Sequence, residues 1–308
     1  MRAVIWNEFG AEPVLRDDLP IPTPGDGEVG VRVRASSVNP VDNAIVAGVL
    51  KDMVPHEFPV TLGRDFAGIV EQVGNSVSTV SVGDEVFGFM AATAPAVHAG
   101  SWADMIVVPE STVARKPEHV DVTVAGAAPL AAVTAILSVD ALDLSHGETV
   151  LIAGATGGVG SLAVQLAAAA GATVIAPGLP EDEAYLRRLG ASDVPSRDGD
   201  IIDAVRERYP DGVNAIIDLI SFAPGTYEAA LKERGRLVSS NNAAGQGDRR
   251  TNVMASGSPE TLARVAKHLD DGTLEVPIQQ TYDIADAARA LHDLATKHNQ
   301  GKRALLIS

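Results

Sequence analysis

The residues of this chain best suited to binding are glycines. Ile152-Ala-Gly-Ala-Thr-Gly-Gly-Val-Gly160 lies between the continuous apolar run 149–153 and the Ala-rich stretch 161–170. Ala155, Gly157 and Gly160 match G-x-G-x-x-G with alanine in the first place. A strand, a glycine turn and a helix in that order aim backbone N–H groups and the positive end of a helix dipole at a phosphate. Gly157 would let the backbone approach a pyrophosphate, and Gly160 would let the helix press against the strand. Ala155, Thr156, Gly157, Gly158, Val159 and Gly160 are therefore the expected cofactor turn; the bland alternative is a Gly-rich loop. Sites for NAD usually place Asp or Glu at the end of the second strand, roughly 20 residues on. Here that strand, 172–176, runs into Pro177-Gly178-Leu179-Pro180 with no acid before Glu181. The missing carboxylate leaves room for a 2′-phosphate beside Gly178 and favours NADPH.

Other chemistries are narrower. The chain has no cysteine, which removes disulfides, thiolate nucleophiles and Cys-ligated zinc. His56, His98, His119, His146, His268, His292 and His298 show no ligand spacing and read as surface or loop residues. Only His98 falls near an expected cleft strand. Ser145-His146 has no accompanying acid motif, so a hydrolase triad is unsupported. Forty acidic against 24 basic residues give a net charge of −16. That balance disfavours nucleic acid and anionic membrane as partners. Acidic pairs such as Asp17-Asp18 and Asp270-Asp271 read as solvated surface rather than a metal site. The opening residues lack a basic flank and apolar run, so no signal peptide is expected. The most apolar stretch, 124–144, is broken by Pro129, Thr134, Asp140 and Asp143 and is no membrane span. A cytoplasmic setting is expected.

The elements that would position these residues fall into two blocks, and 308 residues suit two domains at roughly 100–200 each. Segments 29–35, 67–73, 84–89 and 104–108 alternate apolar and polar residues between Gly/Pro turns, as short half-buried strands do. From residue 120 an Ala-rich helical stretch runs to 144. Apolar strands at 149–153, 172–176, 214–220 and 236–240 then alternate with helices at 161–170, 185–189, 201–209 and 225–232. A short strand is expected at 192–194, a helix at 259–271, an extended run at 274–282, a helix at 284–298 and a last strand at 303–307. Strands alternating with helices predict a doubly wound parallel sheet, so the fold class is α/β with a β-rich partner domain. No floppy linker separates the blocks, which implies rigid packing around a cleft. Ser221 and Ser239 close two sheet strands, where an open α/β sheet places its ligand.

Leu62-Gly-Arg-Asp-Phe-Ala-Gly68, Val38-Asn-Pro-Val-Asp42, Ala153–Gly160 and Leu189-Gly-Ala191 follow one another in a familiar order, with Gly301-Lys302 before the final strand. Together, from Met1 to Ser308, they resemble the zinc-independent, zeta-crystallin-like quinone oxidoreductases of the medium-chain dehydrogenase/reductase superfamily. The resemblance implies a GroES-like catalytic domain over 1–120, completed by 275–308, and a Rossmann NAD(P)-binding domain over 121–274. Zinc-dependent relatives carry Gly-His-Glu where this chain has Gly63-Arg64-Asp65. Without a Lewis acid, alcohol dehydrogenation loses its main stabilisation. The expected reaction is hydride transfer from NADPH to a quinone or α,β-unsaturated carbonyl. The rivals are an enoyl reductase for acyl chains and a protein that binds NADPH without turnover.

The resemblance also assigns residues. Asn39 and Asp42 match an Asn-Pro-x-Asp segment that lies beside the nicotinamide in relatives. Asn39 would donate its amide to a carbonyl gaining negative charge, or merely open a turn. Asp42 would serve the site, or merely cap a helix. Arg64 would orient Asp42 or Asp65, or meet a quinone oxygen. Thr134 matches a Thr-Ala near the nicotinamide amide, or is an ordinary helix threonine. Aligned on Leu189-Gly-Ala191, the family's NADPH-binding Lys falls on Asp182 and its Tyr on Arg197. An acid there would repel a 2′-phosphate, and Arg197 would restore the attraction unless it pairs with Asp198 or Asp200. Trp102 is offered as a stacking surface in an otherwise aliphatic cleft. A homodimer through the outer strand near 251–255 is implied by the resemblance alone.

Overall fold

Alternating side chains build the N-terminal half. In order come β1 (Ala3–Trp6), β2 (Val14–Arg16), β3 (Glu28–Val38), α1 (Pro40–Val46), β4 (Val60–Thr61), β5 (Asp65–Val73), β6 (Glu85–Phe89), β7 (Met105–Pro109) and β8 (Val113–Arg115). In β3, Val31, Val33 and Ala35 are buried while Arg32 and Arg34 face solvent, the period-two pattern of a strand with one covered face. The structure, a computed structural model, describes residues 1–90 and 98–308.

From residue 122 the period changes. The elements are α2 (Val122–Ala127), α3 (Pro129–Leu142), β9 (Thr149–Ala153), α4 (Gly158–Ala169), β10 (Thr173–Ile175), α5 (Glu183–Arg188), α6 (Ile201–Arg208), β11 (Val213–Asp218), β12 (Leu231–Ser239), β13 (Arg250–Asn252) and α7 (Pro259–Asp270). The chain closes with β14 (Ile278–Asp283), α8 (Ala287–Thr296) and β15 (Lys302–Leu306). β9 and β11 are buried almost throughout, as strands covered on both faces must be. The sheet runs β10-β9-β11-β12-β13 and every pairing in it is parallel.

The second large sheet runs β14-β15-β3-β5-β6-β8, with β7 also on β3. β15 is antiparallel to β3, with Arg303 opposite Val38. The last strand therefore returns to the sheet made by the N-terminal half. Phe87 and Phe89 of β6 share one apolar core with Ile136 of α3, Ile152 of β9, Leu162 of α4 and Leu262 of α7. α3 buries nine of its 14 residues, more than one stripe, so it is a core helix between the two sheets.

Several sequence expectations change. The helical stretch 120–144 is two helices, because Pro129 can start a helix but not continue one. No helix spans 225–232: a short 3-10 turn at Glu228–Ala230 leads into β12, which pairs with β11 from Leu231 onward. The parallel ladder overrides the local helix preference of Ala229-Ala230-Leu231-Lys232. Segment 192–194 forms one isolated bridge, Ile175 with Asp193, and a second, Gly178 with Ser196, follows it. Pro195 between them has no N–H for a ladder. Trp102 is fully buried rather than available for stacking. It packs where a Cβ on Gly63 would come within 2.1 Å of its ring, and Gly63 has φ +90, so only glycine fits. The indole N–H donates to the Ser37 carbonyl at 3.1 Å.

Candidate active site

The glycine turn behaves as its spacing predicts in packing terms. A Cβ on Gly160 would lie 2.1 Å from the Gly154 carbonyl oxygen, so α4 presses on β9 only with glycine there. A Cβ on Gly157 would meet nothing nearer than 3.5 Å. The face above Gly157 is thus open, at the N-terminus of a 12-residue helix. Ala155 is buried in the core, Thr156 is nearly so, and Val159 is half-buried. The turn is also stitched to the far end of the chain. The Gly301 N–H donates to the Thr156 carbonyl at 2.7 Å, and Gly157 and Gly301 form an isolated parallel bridge. Gly301 has φ +81, and a Cβ there would come 2.3 Å from the Pro277 carbonyl.

The next residue, Lys302, carries the connection into a buried polar cluster. Its stem lies over Gly158, where a Cβ would be 2.6 Å from Lys302 Cδ. Its ammonium donates to Asn39 Oδ1 at 2.5 Å and to Asp65 Oδ2 at 3.4 Å. Asn39 Nδ2 donates to Asp65 Oδ2 at 2.8 Å and more weakly to Ser37 Oγ at 3.3 Å. Ser37 Oγ donates to the same Asp65 oxygen at 2.5 Å, and the Leu130 N–H at the start of α3 donates to the other at 2.7 Å. Asp65 is thus the hub between β3, β5, α3 and β15.

Asp42 sits behind this hub. Its Oδ2 accepts the Asn39 backbone N–H at 2.8 Å, half of a capping box for α1. Its other oxygen lies 3.9 Å from Arg64 Nε, and both residues are buried. Burial pushes the Asp42 carboxyl up to about 6, against the pull of Arg64 and of the Asn39 N–H. Burial also lowers the Arg64 guanidinium from its usual value, with Asp42 and Asp65 opposing; a guanidinium remains charged regardless.

Three further candidates lie on α3 and at the ends of β11 and β12. Thr134 is buried one helical turn beyond Leu130 and donates its hydroxyl to the Leu130 carbonyl at 2.7 Å. Ser221 follows β11, with its N–H on Asp218 Oδ1 at 2.9 Å and its hydroxyl on the other Asp218 oxygen. Ser239 ends β12, fully buried, and its oxygen accepts the N–H groups of Asn241 and Ala243.

After β10, Gly178 is paired with Arg197, whose N–H donates to the Gly178 carbonyl at 3.0 Å. The Arg197 side chain meets neither Asp198 nor Asp200. Its Nη2 donates to His298 Nδ1 at 2.9 Å, which leaves the proton on His298 Nε2 to reach Asp182 Oδ1 at 2.7 Å. Asp182 also accepts from Gln300 and from the Leu179 N–H. Burial would raise its carboxyl, but the hydrogen bonds from Gln300, Leu179 and His298 win and hold it below the usual range. Asp182 is fully buried, between its own loop and the segment 298–300.

With this geometry in view, the likenesses to known proteins become specific. Residues 25–118 match the alcohol dehydrogenase GroES-like domain family and residues 189–305 the zinc-binding dehydrogenase family. The chain is 33% identical over 246 residues to the quinone oxidoreductase of Homo sapiens, covering 77% of this chain and 72% of that one. The chain belongs to the quinone oxidoreductase family. This places it among the medium-chain dehydrogenases/reductases, with their GroES-like and Rossmann-like parts, and makes it an oxidoreductase. It is also 28% identical over 312 residues to the chloroplastic NADPH-dependent alkenal/one oxidoreductase of Arabidopsis thaliana, covering 98% of this chain and 78% of that one. The solved quinone oxidoreductase from Coxiella burnetii superposes with a TM-score of 0.87 at 28% identity, over 100% of this chain and 99% of that one.

The zinc of the wider superfamily does not fit this member. Arg64, a cation, stands where a ligand would be needed, and Asp65 accepts from four donors of its own chain. Cysteine is absent from the sequence, and among the described residues no His/Asp/Glu group could hold a metal. The glycine turn does fit a dinucleotide, because its open face lies over Gly157 and its closed one under Gly160.

The structure brings Asn39, Asp42 and Arg64 together and ties them to Ala155–Gly160. Sequence reasoning missed Lys302, Asp65 and His298 as members of the site. Lys302 had a signal, the terminal Gly301-Lys302 pair, but its partners are 263 and 237 positions away. His298, read as a surface or loop residue, does lie in the loop between α8 and β15, where it holds Arg197 and Asp182. His98, in contrast, is exposed and bonds the Glu57 carbonyl.

Proposed function

We propose that this chain reduces a quinone or an α,β-unsaturated carbonyl with hydride from NADPH, using no metal. One observation carries the reading: the turn that would hold the cofactor's pyrophosphate is hydrogen-bonded to Gly301, and Lys302 runs from that turn into the Asn39–Asp65 cluster. NADPH seated on Ala155–Gly160 would supply a hydride, a two-electron donor that needs no metal relay. The N–H groups at the start of α4 receive its pyrophosphate over the open face of Gly157. Asn39 is the donor for an oxygen that gains negative charge. Asp65 and Lys302 hold its amide, and the long 3.3 Å bond to Ser37 is the one a substrate oxygen replaces. Asp42 positions Asn39 through its backbone N–H, with Arg64 behind it. The lone pairs of Thr134 Oγ1 accept from the carboxamide of the nicotinamide. The backbone at Ser221 and Ser239 flanks the cofactor at the carboxyl ends of the sheet strands.

NADPH is preferred over NADH in this reading because the Asp182 carboxylate is spent on Leu179, His298 and Gln300, while Arg197, whose backbone pairs with Gly178, keeps guanidinium donors beyond the one on His298. A charge-assisted phosphate bond is worth roughly 1.5–3 kcal/mol, about tenfold or more in affinity. Arg197→Ala should weaken NADPH binding by that factor and leave NADH unchanged; equal losses for both remove Arg197 from the site. For the reaction itself, NADPH absorbance should fall when a quinone or enone is added. Absorbance that stays flat with both sinks the proposal, and turnover only with enoyl thioesters replaces the substrate class.

We also place a homodimer contact at 251–255. β13 is the open edge of its sheet, and Met254 beside it is 80% exposed, an association hazard unless covered. Sedimentation as a monomer at micromolar concentration would count against it.

A further inference from the structure

The parallel sheet has a second concave surface at the end opposite the glycine turn. Glu148 precedes β9, Asn214 is the second residue of β11, Lys232, Arg234 and Arg236 lie in β12, and Arg249 precedes β13. These side chains line a cavity of about 260 Å³. A smaller one of about 120 Å³ shares Arg236 and Arg249. Open α/β sheets take their cofactors at the carboxyl ends of the strands. This cavity is at the amino ends, so it is separate from the cofactor's place.

Its charge is unlike that of the chain around it. Four cations and a single carboxylate line the larger cavity, in a protein of net charge −16. Glu148 is already bonded to Arg236 and to the Ser145 N–H. Lys232 reaches only the neutral Asn214 Oδ1, at 3.0 Å. The guanidinium groups of Arg234 and Arg249 have no hydrogen bond or acidic partner among the described residues. Elsewhere in this acid-rich chain exposed arginines such as Arg187, Arg188, Arg264 and Arg289 each hold an acid. Asn214 adds a donor of fixed orientation. Its Oδ1 accepts from the Thr149 N–H, the Thr149 hydroxyl and Lys232, which leaves the Nδ2 hydrogens unspent.

Cations gathered on one wall repel one another, and an anion between them reverses the sign of that interaction. Guanidinium forks match phosphate oxygens in pairs. We propose that this cavity is a binding site for a small phosphate-bearing anion, separate from the cofactor site. Its size suits a diphosphate-sized group rather than a large ligand. A nucleic acid is disfavoured, because a chain of net charge −16 repels an extended polyanion.

The test is calorimetric titration of the full chain with pyrophosphate, and separately with inorganic phosphate, at constant ionic strength. Pyrophosphate should bind the natural chain, and Arg234→Ala/Arg249→Ala should weaken it by about tenfold or more, the worth of one or two charge-assisted bonds. Both arginines are exposed, so the double variant should keep its fold, checked by circular dichroism. Gly157→Val serves as the opposite control, since it alters the cofactor turn and should leave this binding in place. The proposal is overturned if the natural chain shows no binding, or if the double variant binds as tightly. It is overturned equally if Gly157→Val, and not the arginine pair, abolishes the signal.

Discussion

The glycine turn and the polar cluster beside it hold their shapes by opposite means. Ala155–Gly160 contains no ionisable side chain; it works through backbone, an empty face over Gly157 and close contact under Gly160. The cluster packs Asp42, Arg64, Asp65 and Lys302 at 4% exposure or less, drawn from three separate stretches of chain. A turn made of backbone is a local object, and each position can be judged by whether a Cβ fits. A cluster of buried charges is collective, because each charge is tolerated only while its partners remain. The two meet at Gly301-Lys302, so the cofactor turn is locked to the most interdependent part of the protein.

That contrast can be broken most severely at Lys302. Lys302→Met removes the cation beside Asp65 and Asn39, and stranding a buried partner costs roughly 3–5 kcal/mol. Urea unfolding should show a loss near the low end, because Ser37, Asn39 and Leu130 still donate to Asp65. A variant as stable as the parent would mean that the cluster is not collective.

Asp42 probes the same cluster by pH. Its carboxyl is raised in the folded state to about 6, so the folded chain holds that proton more tightly than the unfolded one. Stability from this group is full below the unfolded value near 4 and is lost as pH rises towards 6, about 3 kcal/mol in all. Asp42→Asn should flatten the thermal-stability profile between pH 4 and 6. An unchanged slope would assign that fall to other groups.

The turn should respond position by position. Gly160→Val forces a Cβ against the Gly154 carbonyl and should destabilise by about 1–3 kcal/mol. Gly157→Val should move stability by no more than about 0.5 kcal/mol, while blocking NADPH binding measured by cofactor fluorescence. If Gly157→Val binds NADPH normally, the pyrophosphate lies elsewhere. The smallest effect is expected from a chelator: dialysis should leave turnover unchanged, and a tightly held zinc found by metal analysis would contradict the donor set at Arg64 and Asp65.

The turn could be read along the chain because strand, glycines and helix are consecutive, and each glycine answers to neighbours a few positions away. The same locality served Asn39 and Asp42, whose capping contact spans three residues. It failed at 225–232, where an alanine-rich stretch looks helical by itself and the ladder with β11 makes it a strand. It could not reach the partners of Asp182 either, since Gln300 and His298 donate to its carboxylate from 118 and 116 positions on.

Composition and spacing by themselves determined the α/β class, the glycine turn between strand and helix and the absence of cysteine ligands, since periodicity and residue type are properties of the chain. Only the tertiary structure decided what Arg64, Asp65, Arg197 and Lys302 touch. A buried charge has no meaning until its partner is known, and β15 brings that partner from the opposite end of the sequence by pairing with β3.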